Sequence, residues 1–207
     1  MESFVNSRYG KLHYRAAGQG DPLVLLHATP RSSRAYSKLQ PLLARTHHVI
    51  APDTLGFGLS DPLPKGATME QLAASVADLL TSLELKQAAV FGLHTGNKIA
   101  AALAAAQPQR ISKLMLCGMS HSIILDPLSR EAAIKTILME NPIAPNDVSD
   151  ESERLDRVQG QASVEAIYSA NYDFDLAATL PKISMPTMVV ELATTAEAHL
   201  GLQAPSW

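Results

Sequence analysis

Five consecutive residues, Gly92-Leu93-His94-Thr95-Gly96, combine residue types and a spacing from which chemistry can be built. They follow the apolar run Ala88-Ala89-Val90-Phe91 and open the alanine-rich segment "TGNKIAAALAAAQP". A strand that turns this sharply into a helix strains the backbone of its central residue, and small residues two before and two after relieve the clash. The central side chain, His94, then points into the cleft above the carboxyl edge of a sheet. The following helix directs its free N–H groups and positive dipole end at the same point. An imidazole there has three uses. With an unperturbed pKa of about 6.5, lowered further by a helix end, it is largely neutral at pH 7. It can then attack an acyl carbon without a separate base. It can instead take a proton from water or from an acidic substrate C–H or O–H. Or it can line a pocket and do neither. All three remain open at the level of sequence.

The other candidates for chemistry have blander readings. His47 and His48 are adjacent on a strand and face opposite sides of it, which argues against a shared metal. His27 closes a strand and fits a buttress for the following loop, although it also borders the cleft. His121 follows the end of a later strand and can line the cleft or sit at the surface. No histidine or cysteine cluster has zinc-like spacing, so no metal is expected. The single cysteine, Cys117, lies in "KLMLCGM", where apolar neighbours favour a buried thiol over a nucleophile.

The elements that must position these residues alternate between strand and helix. "SFVNSRYGKLHYRAAG" predicts an N-terminal hairpin turning near Tyr9-Gly10. "PLVLLH" (Pro22 to His27) and "HHVIAPD" are short apolar runs of strand length, as is "AAVFGL" before the turn and "KLMLCGM" after the helix. "SRAYSKLQPLLART" predicts a helix that Pro41 must start or kink. In "TMEQLAASVADLLTSLEL", Thr68 can cap a helix whose apolar residues Leu72, Val76, Leu79, Leu80 and Leu83 follow the 3.6-residue period. This alternation implies parallel strand–helix–strand units, with helices on both faces of one sheet. After Met119 the rhythm changes. "DPLSREAAIKTILMEN" and "ESERLDRVQGQASVEAIYSAN" predict helices joined by a polar, proline-broken linker, before "MPTMVVEL" restores a buried-strand pattern. A helical excursion between two strands is what a lid looks like, and a long crossover without a substrate role fits the same pattern.

The totals bound the class. A chain of 207 residues fits one domain with a substantial core. With 46% hydrophobic and 18% charged residues, disorder is excluded as a description of the whole. A net charge of -3 leaves no basic footprint for nucleic acid or an anionic membrane. The first residues lack a cationic start followed by an apolar core, and the longest apolar stretch is too short to cross a bilayer. With one cysteine, a reducing cytoplasm is the expected compartment.

Several motifs in order resemble the α/β-hydrolase fold family. "HATP" (His27 to Pro30) stands where that family has His-Gly-x-Pro, "APDTLGFGLSD" (Ala51 to Asp61) resembles its "APDxxGxGxSD" segment, and "GLHTG" occupies its nucleophile elbow. "LPKISMPTMVV" (Leu180 to Val190) is similar to the segment leading from the cap into the acid-bearing strand. The resemblance runs from about Tyr9 to Val190. It implies an α/β fold with a mostly parallel, doubly wound sheet. The core would comprise residues 1–119 and 181–207, and a helical cap would span 120–180. It also implies cofactor-free hydrolysis of a small ester or related acyl bond, with His94 as the catalytic residue and Gly92 and Gly96 supporting the elbow. The backbone N–H of Thr95 and one in Ala28-Thr29 would form the oxyanion hole, and Asp53 with Gly56 to Asp61 would shape the loop beneath. His27, Tyr36, Met119, His121 and the cap residues Tyr168 and Tyr172 are candidates for the pocket. The implied partner is a small-molecule substrate, with a homodimer through an exposed sheet edge as a further expectation.

Besides Ala28 in place of the family's glycine, the chain departs from the family in two larger ways. His94 replaces the usual serine, and dehalogenase or epoxide-hydrolase chemistry would need an aspartate there. Where the family carries its acid stand Thr194 and Thr195, with Glu191 and Glu197 nearby, and only twelve residues follow Thr195. His199 is the sole downstream histidine. The expectation is therefore either a fragment of a longer hydrolase or a shortened homologue whose sheet lacks its last strand and catalytic-histidine loop. A non-catalytic ligand-binding protein on the same fold is the alternative, and a cofactor-free lyase or oxygenase a further one.

Overall fold

The computed structural model of the chain describes residues 2–118, 128–129, 132 and 150–190. Glu2–Ser7 (β1) and Gly10–Ala17 (β2) form the expected hairpin, with Ser7 opposite Gly10. Asp21–Leu26 (β3), His47–Pro52 (β4), Ala88–Leu93 (β5), Ile111–Cys117 (β6) and Thr187–Val190 (β7) complete one seven-stranded sheet. Its order is β1-β2-β4-β3-β5-β6-β7. Only the β1–β2 and β2–β4 pairs are antiparallel; every pair from β4 to β7 is parallel. The sheet is therefore mostly parallel, as the alternation of elements required.

Gln40–Leu43 (α1), Met69–Ser82 (α2), Thr95–Ala106 (α3), Glu151–Gly160 (α4), Val164–Asp173 (α5) and Leu176–Thr179 (α6) supply the helices. The start of α2 is set by a capping box. Thr68 Oγ1 accepts from Gln71 N–H at 3.3 Å, and Gln71 Oε1 accepts from Thr68 N–H at 3.2 Å. Its buried stripe contains Leu72, Val76, Leu79 and Leu80, the period read from the sequence.

The strands sort their side chains by the two-residue period. Val24, Leu26 and Ile50 point into the larger core with α2 and α3, joined by Ile167, Ala170, Phe174 and Leu176 from the last helices. Leu25, Val49 and Ala51 point the other way, into a smaller cluster with Tyr36. Both faces of the sheet are thus covered, which is why its central strands read as continuous apolar runs.

Three local expectations differ from the structure. The segment after His27 is a 3₁₀ turn, Ser33–Tyr36, followed by the four-residue α1 with Pro41 in its first turn, rather than one helix. Proline lacks the N–H that a continuing helix needs, so the two pieces stay separate. The expected helix over 151–171 is divided into α4 and α5 by a 3₁₀ turn at Gln161–Ser163. β7 has an apolar sequence, yet Met188 and Val189 are 57% and 55% exposed. Its one described sheet neighbour is β6. The expected helix over 126–141 lies outside the described residues apart from three positions. The carboxylates Glu191 and Glu197 and the histidine His199 lie outside them altogether. Among the described residues, no helix is long and apolar enough to cross a membrane.

Candidate active site

Register brings three chain segments to one point at the carboxyl edge of the sheet. Leu26 on β3 pairs with Gly92 on β5, and Leu93 pairs with Cys117 on β6. One or two residues beyond each strand end, Ala28, His94 and Gly118 therefore stand side by side. His94 sits between β5 and α3 with φ 47° and ψ −111°, a left-handed backbone that a residue bearing a side chain rarely adopts. Two hydrogen bonds hold that conformation: His94 N–H donates to Cys117 O at 2.9 Å, and Asn97 N–H donates to His94 O at 3.0 Å. Asn97 Nδ2 also donates to Cys117 O and Gly118 O, at 3.2 and 3.0 Å, tying the first turn of α3 to the end of β6.

The two elbow glycines are explained by close backbone approach. A Cβ on Gly92 would lie 2.5 Å from Asn97 Cα, and one on Gly96 would lie 2.3 Å from Leu26 O. Neither position has room for any side chain. The second contact also shows how tightly the elbow abuts the end of β3, where the "HATP" loop begins. Gly118 has φ +71°, and a Cβ there would lie 2.7 Å from His94 Nδ1 and Cε1. The half-buried imidazole therefore rests against Gly118. That contact was not read from the sequence, although a glycine one residue past a strand end was a visible signal.

The loop after β3 is held by side chains beneath it. His27 is 2% exposed. Its Nε2 accepts from Thr54 N–H at 3.0 Å, so the proton resides on Nδ1, which donates to Ala28 O at 3.0 Å. Burial lowers its pKa, consistent with a neutral ring engaged at both nitrogens. The Thr29–Pro30 peptide is cis, and Arg31 N–H donates to Ala28 O at 2.8 Å. Tyr36 is buried in the smaller core cluster, where its hydroxyl donates to Leu26 O at 2.9 Å and burial raises its pKa.

Asp53 organises the next layer. Its Oδ1 accepts from Ser33 N–H at 2.7 Å, and its Oδ2 accepts from Leu59 N–H at 2.9 Å and from His13 Nδ1 at 2.8 Å. Burial opposes ionisation of this carboxyl, but the donors outweigh it and hold the pKa below the ordinary value. Asp53 thereby pins the start of the 3₁₀ turn and the Gly56–Asp61 loop, with His13 as a partner the sequence did not announce.

The helices of residues 150–180 reach this framework through Asp156 on α4, whose side chain is fully buried. Its Oδ1 accepts from Ser32 Oγ at 2.6 Å and Arg34 Nε at 2.9 Å; its Oδ2 accepts from Ser32 N–H at 3.2 Å and Arg31 Nε at 3.3 Å. On the other side, Lys98 of α3 is 4% exposed, with its Nζ 5.7 Å from the ring centroid of Tyr172 on α5. Burial drives its pKa down to about 7. Tyr168 and Tyr172 both have phenol pKa values raised by burial. Met119 and His121 lie outside the described residues. Among the described residues, no group of three or more His, Cys, Asp or Glu side chains is arranged to hold a metal ion.

The family model for the alpha/beta hydrolase fold matches residues 21–174. The chain is 37% identical over 117 residues to a cis-3-alkyl-4-alkyloxetan-2-one decarboxylase of Shewanella oneidensis, a match covering 55% of this chain and 37% of that protein. It thus spans little more than a third of that relative. It is 28% identical over 210 residues to a 2-hydroxy-6-oxononadienedioate/2-hydroxy-6-oxononatrienedioate hydrolase 2 of Pseudomonas putida, covering 87% of this chain and 73% of the relative. Among solved structures, a hydrolase from Pseudomonas aeruginosa PA01 superposes with a TM-score of 0.76 at 26% identity, covering 92% of this chain and 79% of that one. The sheet order, the strand-to-helix elbow and the matched family model together assign the chain to the alpha/beta hydrolase fold family.

Proposed function

We propose that this chain hydrolyses a small ester or related acyl bond without a cofactor, with His94 as its nucleophile and residues 120–180 as the cap over the site. The observation that carries the reading is the elbow itself. The chain maintains a strained backbone at His94, spends two glycines to permit it, and aims the free N–H end of a twelve-residue helix at the same place. Such strain persists where the surroundings over-determine it, and here those surroundings hold an imidazole at the cleft.

The chemistry follows from the parts. The unprotonated ring nitrogen of His94 attacks the acyl carbon, and the carbonyl electron pair moves onto oxygen. The N–H of Thr95 and one N–H of Ala28-Thr29 stabilise that oxyanion, an arrangement worth several kcal/mol in total, on the order of 3 for each donor. Collapse expels the alcohol, which receives, through water, the proton that the other ring nitrogen gives up, and leaves a neutral acyl-imidazole. Water then adds to the acyl carbon, and the imidazole leaves with its electron pair restored. Hydrolases and a decarboxylase among the relatives support a reaction at an acyl carbon. The test is His94→Ala assayed on 4-nitrophenyl acetate, with far-ultraviolet circular dichroism as the control for folding. Turnover should vanish while the fold remains, and unchanged turnover would remove His94 from the mechanism.

A further inference from the structure

Lys98 is the single charged residue of α3, a helix buried without interruption from Thr95 to Ala104. It stands in the first turn of α3, four residues beyond the N-cap His94 and so about one turn along the helix axis from the elbow. Helical side chains lean toward the N-terminus, so its four-carbon stem runs back toward the elbow. There it is roofed by the Tyr172 ring at 5.7 Å. Among the described lysines and arginines it is the one that is buried, and the cations that do form ion pairs show the contrast. Arg8, Arg15, Arg31, Arg34 and Arg157 are all more exposed than Lys98, and each meets a carboxylate within 3.3 Å. Among the described residues no carboxylate lies in ion-pair range of Lys98, and burial is the whole cause of its lowered pKa. A methionine would fill the same volume without a charge to desolvate. The positive end of α3 adds to the same unbalanced field.

We propose that Lys98 is the anion receptor of this site. The ligand whose acyl carbon reaches His94 carries a carboxylate that pairs with the Lys98 ammonium beneath Tyr172. The inference rests on the hydrolase reading for the acyl end and deepens it, because it names the substrate class: acyl compounds bearing a second, anionic carboxylate, such as half-esters of short dicarboxylic acids. A carboxylate at this point would pair with an ammonium to which the described residues offer no carboxylate, and would face the helix end as well.

Isothermal titration of the whole chain with glutarate, and separately with its uncharged analogue glutaramide, tests the proposal without relying on turnover. Wild type should bind glutarate at least tenfold more tightly than glutaramide, and Lys98→Met should erase that preference. No glutarate binding by wild type at millimolar concentration would overturn the proposal, and so would a preference that survives in Lys98→Met. The two readings fail separately. Glutarate binding that depends on Lys98, in a protein that hydrolyses no 4-nitrophenyl ester, keeps the receptor and sinks the hydrolase. Ester hydrolysis with glutarate binding indifferent to Lys98 does the reverse.

Discussion

At Gly118 the absence of a side chain leaves room that the imidazole of His94 occupies. An added methyl would lie 2.7 Å from two ring atoms, closer than nonbonded atoms tolerate, and the glycine's φ of +71° would strain any replacement by roughly 1–2 kcal/mol. Gly118→Ala should therefore turn the imidazole away from the cleft. The expected outcome is a drop of at least tenfold in ester turnover, read by steady-state kinetics, with a modest fall in melting temperature. Undiminished turnover would mean that the ring orientation seen against Gly118 is not the one used. The elbow was legible in the sequence because the two glycines and the flanking strand and helix form a local pattern. The Gly118 contact was not, because it joins residues 24 positions apart that only the β5–β6 register makes neighbours. His13 went unread for the same reason: it lies 40 residues from Asp53, and nothing local marks the pair.

At the scale of elements, α4 is fastened to the loop that follows β3. Asp156 is the fastening, a buried carboxylate that accepts from a hydroxyl, a backbone N–H and two guanidiniums. Removing one member of such a buried set strands the rest, at about 3 kcal/mol or more. Asp156→Ala should lose roughly that much stability. In hydrogen exchange, the amides of Ser32 to Tyr36 should lose protection while those of α3 keep theirs. Equal loss in both would mean that Asp156 supports the whole domain rather than this loop. Local periodicity made the sheet strands and α2 readable from the sequence. The segment after His27 was misread because its apolar spacing suits a helix while Pro41 forbids one, and the choice was made by packing of Tyr36 against the second face of the sheet. At β7 the strand is legible in the sequence but its burial is not, since apolar composition indicates what a strand can bury and not what lies against it.

At the scale of the whole molecule, Lys98 ties global stability to pH in a direction opposite to that of a paired lysine. Its folded pKa is depressed to about 7, whereas an unfolded chain keeps the proton to about 10.4. Between those values the unfolded state binds the extra proton, so stability rises with pH across that window. Below about 7 both states are protonated and the folded one carries its buried charge at full penalty. A depression from about 10.4 to about 7 corresponds to roughly 4–5 kcal/mol. Lys98→Met removes the penalty, so it should melt higher than wild type at pH 6.5, and the difference should shrink steadily by pH 9.5. Tyr172, the ring facing the ammonium, has a raised pKa and stays neutral over most of that range, so it does not reverse the sign. Differential scanning calorimetry of the two proteins at four pH values checks this. A Lys98→Met variant no more stable than wild type at pH 6.5 would mean the ammonium is compensated in the folded chain. A variant that gains stability while losing its preference for glutarate would separate the two roles of the position, because the residue best for the fold would not be the one best for the ligand.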